Sequence, residues 1–339
     1  MKKILAALLI IGVVVAYVGA EGQQEGAAGK TVTIKLAHDN PVSTHMHKGF
    51  EEFKRIVESE SDGQIEVTIY PGGQMGSVQD TFEQTRRGDL DMSVGATTLL
   101  TQTIPEFYIW DLFSLFESAP HAHAVLDGPA GQKLLEPLEK FGLTGLGYME
   151  VGFRNFSNNK RPIKKIDDFQ GLKIRGYSPT QIAAWEAVGC NLTTLSWTEV
   201  FTSLQQNLID GQECATTSFY DARFYEAQKY WSLTNHVYTN YMWYANQKFM
   251  DSLSEEQRKI VVDAAEKAID FDRKLSAEQE AEAIAKIKEA GVQVNDVPTE
   301  TKIKLGERLN SVVKDDIVAK AGQEIYDMVM AEVEATRGQ

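Results

Sequence analysis

Arg175 has the sequence setting best suited to binding an anion. It ends a short, largely apolar segment that starts at Leu172, at a point where a strand would stop. A planar guanidinium in that position can donate two parallel hydrogen bonds to one carboxylate. The pattern also fits a surface arginine that closes a strand, and on composition alone this second interpretation is the better one.

Motifs for enzymatic chemistry are absent from the sequence. It contains no nucleophile elbow, no phosphate-binding glycine loop and no HExxH zinc motif. Two histidine pairs are separated by one residue, His45 with His47 and His121 with His123. On a helix the members of such a pair diverge, whereas on a strand or loop they could chelate a metal together. We expect surface or helix-capping histidines, and neither a metal nor a cofactor.

The elements that position these residues begin as an α/β fold. Residues 31–37 alternate apolar and polar side chains as a half-buried strand does, and 41–60 change to the spacing of an amphipathic helix. A second alternating strand follows at 65–69. The same spacing of apolar residues and end signals predicts helices near 77–88 and 119–140, and strands near 90–94 and 143–149.

A second α/β run follows, with strands at 171–175, 191–195 and 208–212 and helices at 179–188 and 197–207. Two such runs predict two domains with a ligand cleft between them. The expected boundaries place 31–152 plus about 240–279 in domain I, and 153–239 plus about 280–339 in domain II.

Ligands of open α/β sheets bind beyond the carboxyl ends of the strands. Arg175 and Cys214 lie at such ends, and so do Asp39 and Asn40 after the first strand. Cys190 precedes its strand and lies at the other end, so we expect two separate thiols because a disulfide spans only a short distance.

Residues 254–290 are charged, rich in alanine and free of glycine and proline. One continuous helix of that length would be about 50 Å long and could extend along both domains. Two helices broken near 275–279 are an equal alternative, since no breaker residue decides between them.

The first thirty residues predict export. Lys2 and Lys3 precede an apolar run that ends in small residues near 20, which is typical of a cleavable signal peptide over 1–20. A retained membrane helix is the alternative, but the run is shorter than the roughly 20 residues that span a bilayer. Residues 21–30 lack large apolar side chains and predict a flexible leader. We therefore expect a periplasmic protein.

The formal net charge is −14. Nucleic acid is excluded as a partner, because binding phosphates requires a basic surface. A single buried arginine can nevertheless bind an anion, since its field in a closed cleft outweighs distant, screened surface charges.

Several separated motifs resemble the DctP-type binding proteins of TRAP transporters, which are tripartite and ATP-independent. In chain order they are YPGGQMGS with GDLDMS, GFRNFSNNKRPI, GLKIRG, WTEVFTSLQQNLIDGQE and FYEAQKYWSLTNHVY. They span residues 31 to about 260 colinearly, and the C-terminal third is similar by helix pattern only.

This resemblance implies two α/β domains of the periplasmic binding protein type II kind, joined by crossing strands and a long helix. It implies that Arg175 pairs with the ligand carboxylate, that Arg154 is a second anion contact and that Trp197 lines the site. The family often has Asn where this chain has Cys214, so a weaker thiol donor replaces an amide.

The resemblance further implies an organic acid ligand, a membrane permease as partner and no catalysis. We expect a monomer that binds a sugar acid such as a uronate, with a C4-dicarboxylate or an oxo acid as the alternative. Asp39 and Asn40 could bind the distal part of the ligand. Aromatic residues could form its walls or equally ordinary core; they are Phe153, Phe219, Tyr220, Trp243 and Tyr244. The competing functions are the binding protein of an ATP-driven importer and a secreted enzyme of carboxylic acids.

Overall fold

A computed structural model describes residues 31–338. The strands are β1 Val32–Ala37, β2 Ile65–Tyr70, β3 Met92–Ala96, β4 Leu143–Asn158, β5 Lys173–Gly176, β6 Asn191–Thr194, β7 Gly211–Ala215, β8 Tyr230–Leu233, β9 Tyr238–Asn246 and β10 Gln293–Asp296. The helices are α1 His45–Glu60, α2 Val78–Arg87, α3 Thr97–Leu100, α4 Ala119–Asp127, α5 Pro129–Lys133, α6 Pro179–Glu186, α7 Val200–Gln205, α8 Thr216–Asp221, α9 Gln247–Ser252, α10 Glu255–Glu289, α11 Thr299–Ala321 and α12 Gln323–Ala335. Short 3-10 segments lie at Pro105–Asp111, Glu136–Phe141, Ile166–Phe169, Trp197–Glu199 and Phe224–Glu226.

The strands form one mixed sheet in the order β2-β1-β3-β9-β4-β7-β5-β6, with β8 paired to β4 and β10 to β8. Parallel pairs lie on both sides, β1 with β2 and β3 in one half and β5 with β6 and β7 in the other. The antiparallel strands β9 and β4 join the two halves. This arrangement confirms the predicted α/β fold with crossing strands.

Strand β4 is longer than the predicted 143–149, because it continues through sixteen residues into the second half of the sheet. Its register with β9 shifts between Gly145 and Gly147 and again between Glu150 and Gly152. Gly147 and Gly152 have φ angles of 133° and 98°, which side-chain-bearing residues rarely adopt. After the second shift, β4 pairs with β7 from Arg154 onward.

Helix α10 is continuous over 35 residues, which decides between the two alternatives for this segment. It begins with a capping box in which Ser254 and Gln257 each bond the other's backbone N–H. Acidic residues occupy its first turn and lysines its last, as the helix dipole favours. At about 50 Å it is long enough to contact both halves of the sheet, and it packs against α1 and α8.

The predicted helix over 119–140 and the predicted strand over 208–212 also differ from the observed elements. The helix expected over 119–140 is divided into α4, α5 and a 3-10 segment, because Pro129 and Pro137 each begin a new helical turn. The strand expected over 208–212 is β7, Gly211–Ala215. Asn207, with a positive φ of 55°, lies in the turn between α7 and β7.

The hydrophobic core has three clusters, around β1 and α1, around β7 and α8, and a larger one beneath the remaining helices. Helix α11 packs against both Pro105–Asp111 and α6, so it contacts segments of both predicted domains. The domain boundaries remain a prediction. Cys190 and Cys214 are both buried and unbridged, which confirms two separate thiols.

Between residues 31 and 338 we find no helix long and apolar enough to cross a membrane. The predicted signal peptide over 1–20 and the predicted leader over 21–30 lie outside the described residues.

Candidate functional site

A cavity with about 570 Å³ of empty space, continuous with solvent, lies where the two halves of the sheet meet. The carboxyl ends of β1, β3, β5 and β7 contribute to it, as do β4 and β9. Its walls are Asp39, Asn40, Ala96, Thr98, Leu99, Val151, Arg154, Arg175, Tyr177, Trp197, Cys214, Ser218, Thr239 and Tyr241. Six of the nine predicted binding residues therefore surround one space: Asp39, Asn40, Arg154, Arg175, Trp197 and Cys214.

Arg154 is fixed by a buried ion pair. Its Nε and Nη2 donate to the two carboxylate oxygens of Glu213 at 2.5 and 2.9 Å, and Nη2 also donates to the Glu213 carbonyl at 2.6 Å. Both side chains are almost fully buried. Burial alone would lower the pKa of Arg154, but the Glu213 carboxylate outweighs it and holds that pKa above its ordinary value.

His236 completes this group. Its Nε2 lies 2.9 Å from Glu213 Oε2, and its Nδ1 lies 2.8 Å from the Thr234 hydroxyl. Burial lowers the pKa of His236 in spite of the adjacent carboxylate. Burial would raise the pKa of Glu213, but Arg154 and His236 together hold it well below its usual range. Glu213 is thus an anion whose charge is already compensated by Arg154.

Arg175 is buried to the same extent but lacks a counterion within residues 31–338. Its Nε donates to the Leu195 carbonyl at 3.0 Å, and its Nη groups have no hydrogen-bond partner among residues 31–338. The side chain is only 7% exposed. Burial lowers its pKa, and the positive charge of Arg154 lowers it further. A buried guanidinium with free donors suits an incoming carboxylate.

Two aromatic rings hold the arginines in place. The Cζ atoms of Arg154 and Arg175 each lie 5.0 Å from the centroid of the Tyr177 ring, and Arg175 also lies 5.4 Å from the Trp197 ring. These distances are within the range of cation–π attraction. The rings fix the direction of the Arg175 side chain without neutralising it.

Asp39 and Asn40 enter the cavity from the other half of the sheet, after β1. The Asn40 amide donates to Asp39 Oδ1 at 3.1 Å, and Tyr241 lines the same cavity. Burial raises the pKa of Asp39 to about 6, although hydrogen bonding to the carboxylate opposes the shift. The cavity therefore contains a carboxylate on one side and an unpaired guanidinium on the other.

Cys214 lies within β7, opposite Asn155 of β4, and not on the loop that the predicted strand would have placed there. It is 1% exposed. Burial raises the pKa of its thiol to about 12, so the sulfur is protonated at neutral pH. It presents a compact, weakly polar wall beside the two arginines.

Three predicted wall residues, Phe153, Phe219 and Trp243, do not line this cavity. Trp243 is fully buried between Phe50 and Phe53. It pairs with Val94 in the middle of β3, whereas Tyr241 pairs with Ala96 at the carboxyl end of that strand.

Strand and helix geometry explain the other two. Phe153 precedes Arg154 on β4, so alternation turns it to the opposite face, where it packs on Tyr238. Phe219 stacks on Trp231 at a centroid distance of 4.1 Å, while the preceding Ser218 lines the cavity. The alternative wall residues Tyr220 and Tyr244 likewise lie outside this cavity, against Tyr225 and Phe82.

Several wall residues escaped the sequence analysis. Tyr177 follows β5 by one residue, and Thr98 and Leu99 follow β3. The carboxyl-end rule that selected Asp39 could have selected these as well. Glu213 gave a different signal, because a charged residue inside a fully buried strand requires a partner.

No group of three or more His, Cys, Asp or Glu side chains in the described part of the chain is arranged to hold a metal ion. The histidines have other contacts. His45 lies 2.7 Å from Asp272, His121 bonds the Val333 carbonyl and His123 lies 2.8 Å from Glu150.

Residues 36–320 match the DctP family, described as bacterial extracellular solute-binding protein, family 7. The chain belongs to this family. A TRAP periplasmic solute-binding protein from Ochrobactrum anthropi is 37% identical, with a TM-score of 0.85 over 91% of this chain and 97% of that one. The sugar acid binding protein DctPAm from Advenella mimigardefordensis, solved with galactonate, is 31% identical, with a TM-score of 0.86 over 91% and 99%.

A third relative is the 2,3-diketo-L-gulonate-binding periplasmic protein YiaO of Escherichia coli, 32% identical over 77% of this chain and 80% of its own length. Family 7 proteins are solute receptors that act in transport. The cavity at the carboxyl ends of the strands lies where an α/β fold of this kind places its ligand.

Proposed function

We propose that this chain is the extracytoplasmic receptor of a TRAP-type transporter and that it binds a polyhydroxy monocarboxylate, such as a uronate or an aldonate, in the cavity beside Arg175. One observation carries the proposal. In the part of the chain that the structure describes, Arg175 is a buried guanidinium with free donors and no counterion, in a cavity that is open to a small solute. A carboxylate there gains two charge-assisted hydrogen bonds and compensates a buried charge.

The charges favour a single carboxylate on the ligand. Arg154 is already neutralised by Glu213, so one cationic side chain of the cavity remains uncompensated. Asp39 would repel a second carboxylate, whereas it can accept a hydrogen bond from a hydroxyl. Asn40, Thr98, Ser218, Thr239 and Tyr241 add polar groups for further hydroxyls. The relatives that bind galactonate and diketogulonate support the same class.

The receptor cycle follows from the crossing strands. Ligand enters between the halves of the sheet, Arg175 pairs with its carboxylate, and the halves close by bending near the two irregular points of β4. The closed form is then recognised by the membrane permease. The protein acts as a periplasmic monomer and releases its ligand unchanged.

A thermal-shift screen of organic acids tests this function. It should include D-galactonate, D-glucuronate, succinate and pyruvate, followed by calorimetry on each acid that raises the melting temperature. A tight ligand at 100 times its Kd adds about 2.7 kcal/mol of stability. We expect hydroxylated monocarboxylates to stabilise the protein most.

Two outcomes would replace the proposal. Strong stabilisation by succinate with none by the sugar acids would favour the C4-dicarboxylate alternative, in which Arg154 must give up Glu213 to bind a second carboxylate. Mass spectrometry of each stabilising acid after incubation should recover it intact. Conversion to a product would establish the secreted-enzyme alternative.

A further inference from the structure

A second chamber adjoins the cavity beside Arg175. It contains about 390 Å³ of empty space and shares Asn40, Val151, Trp197 and Ser218 with the main cavity. The remaining walls come from α1, β4 and α8, with the turn before α1; they are Pro41, Thr44, His45, Met46, Glu150, Thr217, Asp221 and Ala222. Trp197 lines both spaces, and its ring lies 5.4 Å from Arg175 Cζ. The second chamber therefore begins close to the Arg175 guanidinium.

The chamber contains hydrogen-bond acceptors that the protein leaves unused. The Glu150 side chain is 7% exposed, and its Oε2 lies 2.8 Å from His123 Nε2. Its Oε1 has no hydrogen-bond partner within residues 31–338. Asp221 accepts a bond from the Ser43 hydroxyl through Oδ1 at 3.2 Å, and over the same residues its Oδ2 has no partner. Leaving a buried carboxylate oxygen unpaired is costly, so Oε1 of Glu150 suits an incoming donor, and the half-buried Asp221 offers a second acceptor beside it.

His45 supplies a group of the opposite kind. Its Nδ1 is bound to Asp272 at 2.7 Å, which leaves Nε2 without a partner among the described residues. Burial opposes protonation of His45, but Asp272 and the nearby Glu150 and Asp221 carboxylates outweigh it and raise its pKa. The chamber thus offers carboxylate acceptors together with an imidazole donor.

We propose that this second chamber binds the distal hydroxyls of an acyclic polyhydroxy acid longer than four carbons, whose carboxylate is held by Arg175. The proposal rests on the function proposed above and extends it to ligand length. A hydroxyl both donates to Glu150 or Asp221 and accepts from His45, which an ammonium cannot do. A second carboxylate would meet two like charges.

Calorimetry with D-erythronate and D-galactonate tests the chamber through ligand length, since these acids have four and six carbons. Wild-type protein should bind galactonate more tightly. Glu150→Gln keeps the size of the side chain but weakens its acceptor, and we expect it to reduce galactonate affinity about ten- to hundredfold. Ala222→Leu fills the chamber without touching the main cavity and should have the same effect. Both variants should bind erythronate as wild type does.

Ala290→Leu is the matched control, because Ala290 is exposed at the end of α10, and it should bind both acids normally. If either chamber variant weakens erythronate as much as galactonate, the chamber only supports the fold. Equal wild-type affinity for the two acids, or tighter binding of 6-aminohexanoate than of galactonate, also overturns the proposal.

A different result would contradict the proposed function itself: Arg175→Ala would bind both aldonates as tightly as wild type does. If Glu150→Gln does not fold, as judged by circular dichroism, Ala222→Leu and Asp221→Asn provide the same comparison.

Discussion

Arg154 and Arg175 lie at equal distances of 5.0 Å from the ring of Tyr177, yet among the described residues 31–338 only Arg154 has a carboxylate partner. Two buried guanidinium groups on one ring repel each other, and this repulsion adds to the effect of burial in lowering the pKa of Arg175. The carboxylate of Glu213 compensates one positive charge. A ligand carboxylate would compensate the other. We therefore expect the pairing of an anion with Arg175 to contribute much of the free energy of binding.

The first prediction contrasts binding with stability at Arg175. Arg175→Ala should lose about 2 to 5 kcal/mol of binding energy, or about 30-fold to several-thousand-fold in affinity by calorimetry. Arg175→Lys should restore little, because it lacks the planar fork. Without ligand, Arg175→Met should be as stable as wild type or more so, since it removes an unpaired buried charge.

Arg223→Ala is the control for this prediction. Arg223 is exposed and paired with Glu226, so binding should not change. Wild-type affinity in Arg175→Ala would remove Arg175 from the site.

The second prediction concerns Glu213, whose loss should act on the fold. Glu213→Gln leaves Arg154 buried without its counterion, and breaking a buried pair costs about 3 to 5 kcal/mol. Urea denaturation should show this as a lower midpoint with an unchanged slope. A variant as stable as wild type would mean that the Arg154–Glu213 pair contributes nothing to the fold.

The sequence predicted elements well where one face of a helix or strand is buried. The spacing of Met46, Phe50, Phe53 and Val57 identified α1, and all four are buried. It failed where burial is complete, because strand β7 is buried at every position and shows no alternation to mark its ends. Pro129 and Pro137, which divide the helix predicted over 119–140, are themselves sequence signals of a new helix start.

Site residues at the ends of strands were predictable from the sequence, whereas those whose position depends on strand pairing were not. The carboxyl-end rule located Asp39 and Arg175, since it depends only on where strands stop. Which aromatic residue reaches the cavity depends on sheet register, which the spacing of residues along β9 alone does not reveal. Trp243 and Tyr241 share a face of β9, yet pairing with Val94 buries one and pairing with Ala96 exposes the other to the cavity.

The third prediction concerns closure. Ser43 and Asp221 are 178 residues apart and come from opposite sides of the cleft, and their side chains form a hydrogen bond of 3.2 Å. A contact of this kind can form only when the two sides approach. Small-angle scattering should therefore show a smaller radius of gyration with saturating galactonate than without it. An identical radius in both states would rule out domain closure.

The fourth prediction concerns the pH dependence of stability and His38. Its Nδ1 accepts a bond from the Asn40 backbone N–H at 3.2 Å, so its Nε2–H donates to His47 Nδ1 at 3.0 Å. Burial, together with His47, lowers the pKa of His38 from 6.5 to about 3. In the unfolded chain His38 therefore takes up a proton as the pH falls below 6.5. In the folded protein it stays neutral until the pH approaches about 3. This contribution to stability is complete above pH 6.5 and is lost as the pH falls toward 3.

His38→Gln isolates this effect, because every other titrating group is common to the two proteins. The difference in unfolding free energy between wild type and His38→Gln should shrink as the pH falls from 6.5 toward 4, by about 1.4 kcal/mol per pH unit at most. Denaturant titrations at several pH values measure it. A constant difference over that range would contradict the assignment.

The fifth prediction concerns Cys214, whose side chain lines the cavity together with Arg175. Cys214→Asn places an amide donor beside Arg175, and a hydrogen bond to a charged group contributes about 1.5 to 3 kcal/mol. The larger side chain also overpacks a fitted wall, which costs about 1 to 3 kcal/mol. For the native ligand the two effects nearly cancel. For a smaller acid that leaves room for the amide, only the gain applies, so calorimetry should show a shift in preference toward smaller acids.

Thiol labelling provides the matched test of where Cys214 lies. Burial raises the pKa of both Cys190 and Cys214 to about 12, so both should react slowly with a thiolate-directed reagent at neutral pH. Cys214 lines the cavity, whereas the Cys190 thiol donates to the Phe169 carbonyl at 3.5 Å, away from it. Saturating ligand should therefore slow labelling of Cys214 more than that of Cys190, as read by mass spectrometry of the two peptides. Equal slowing of both thiols would indicate a general stabilisation of the fold, and no slowing of Cys214 would place the ligand outside this cavity.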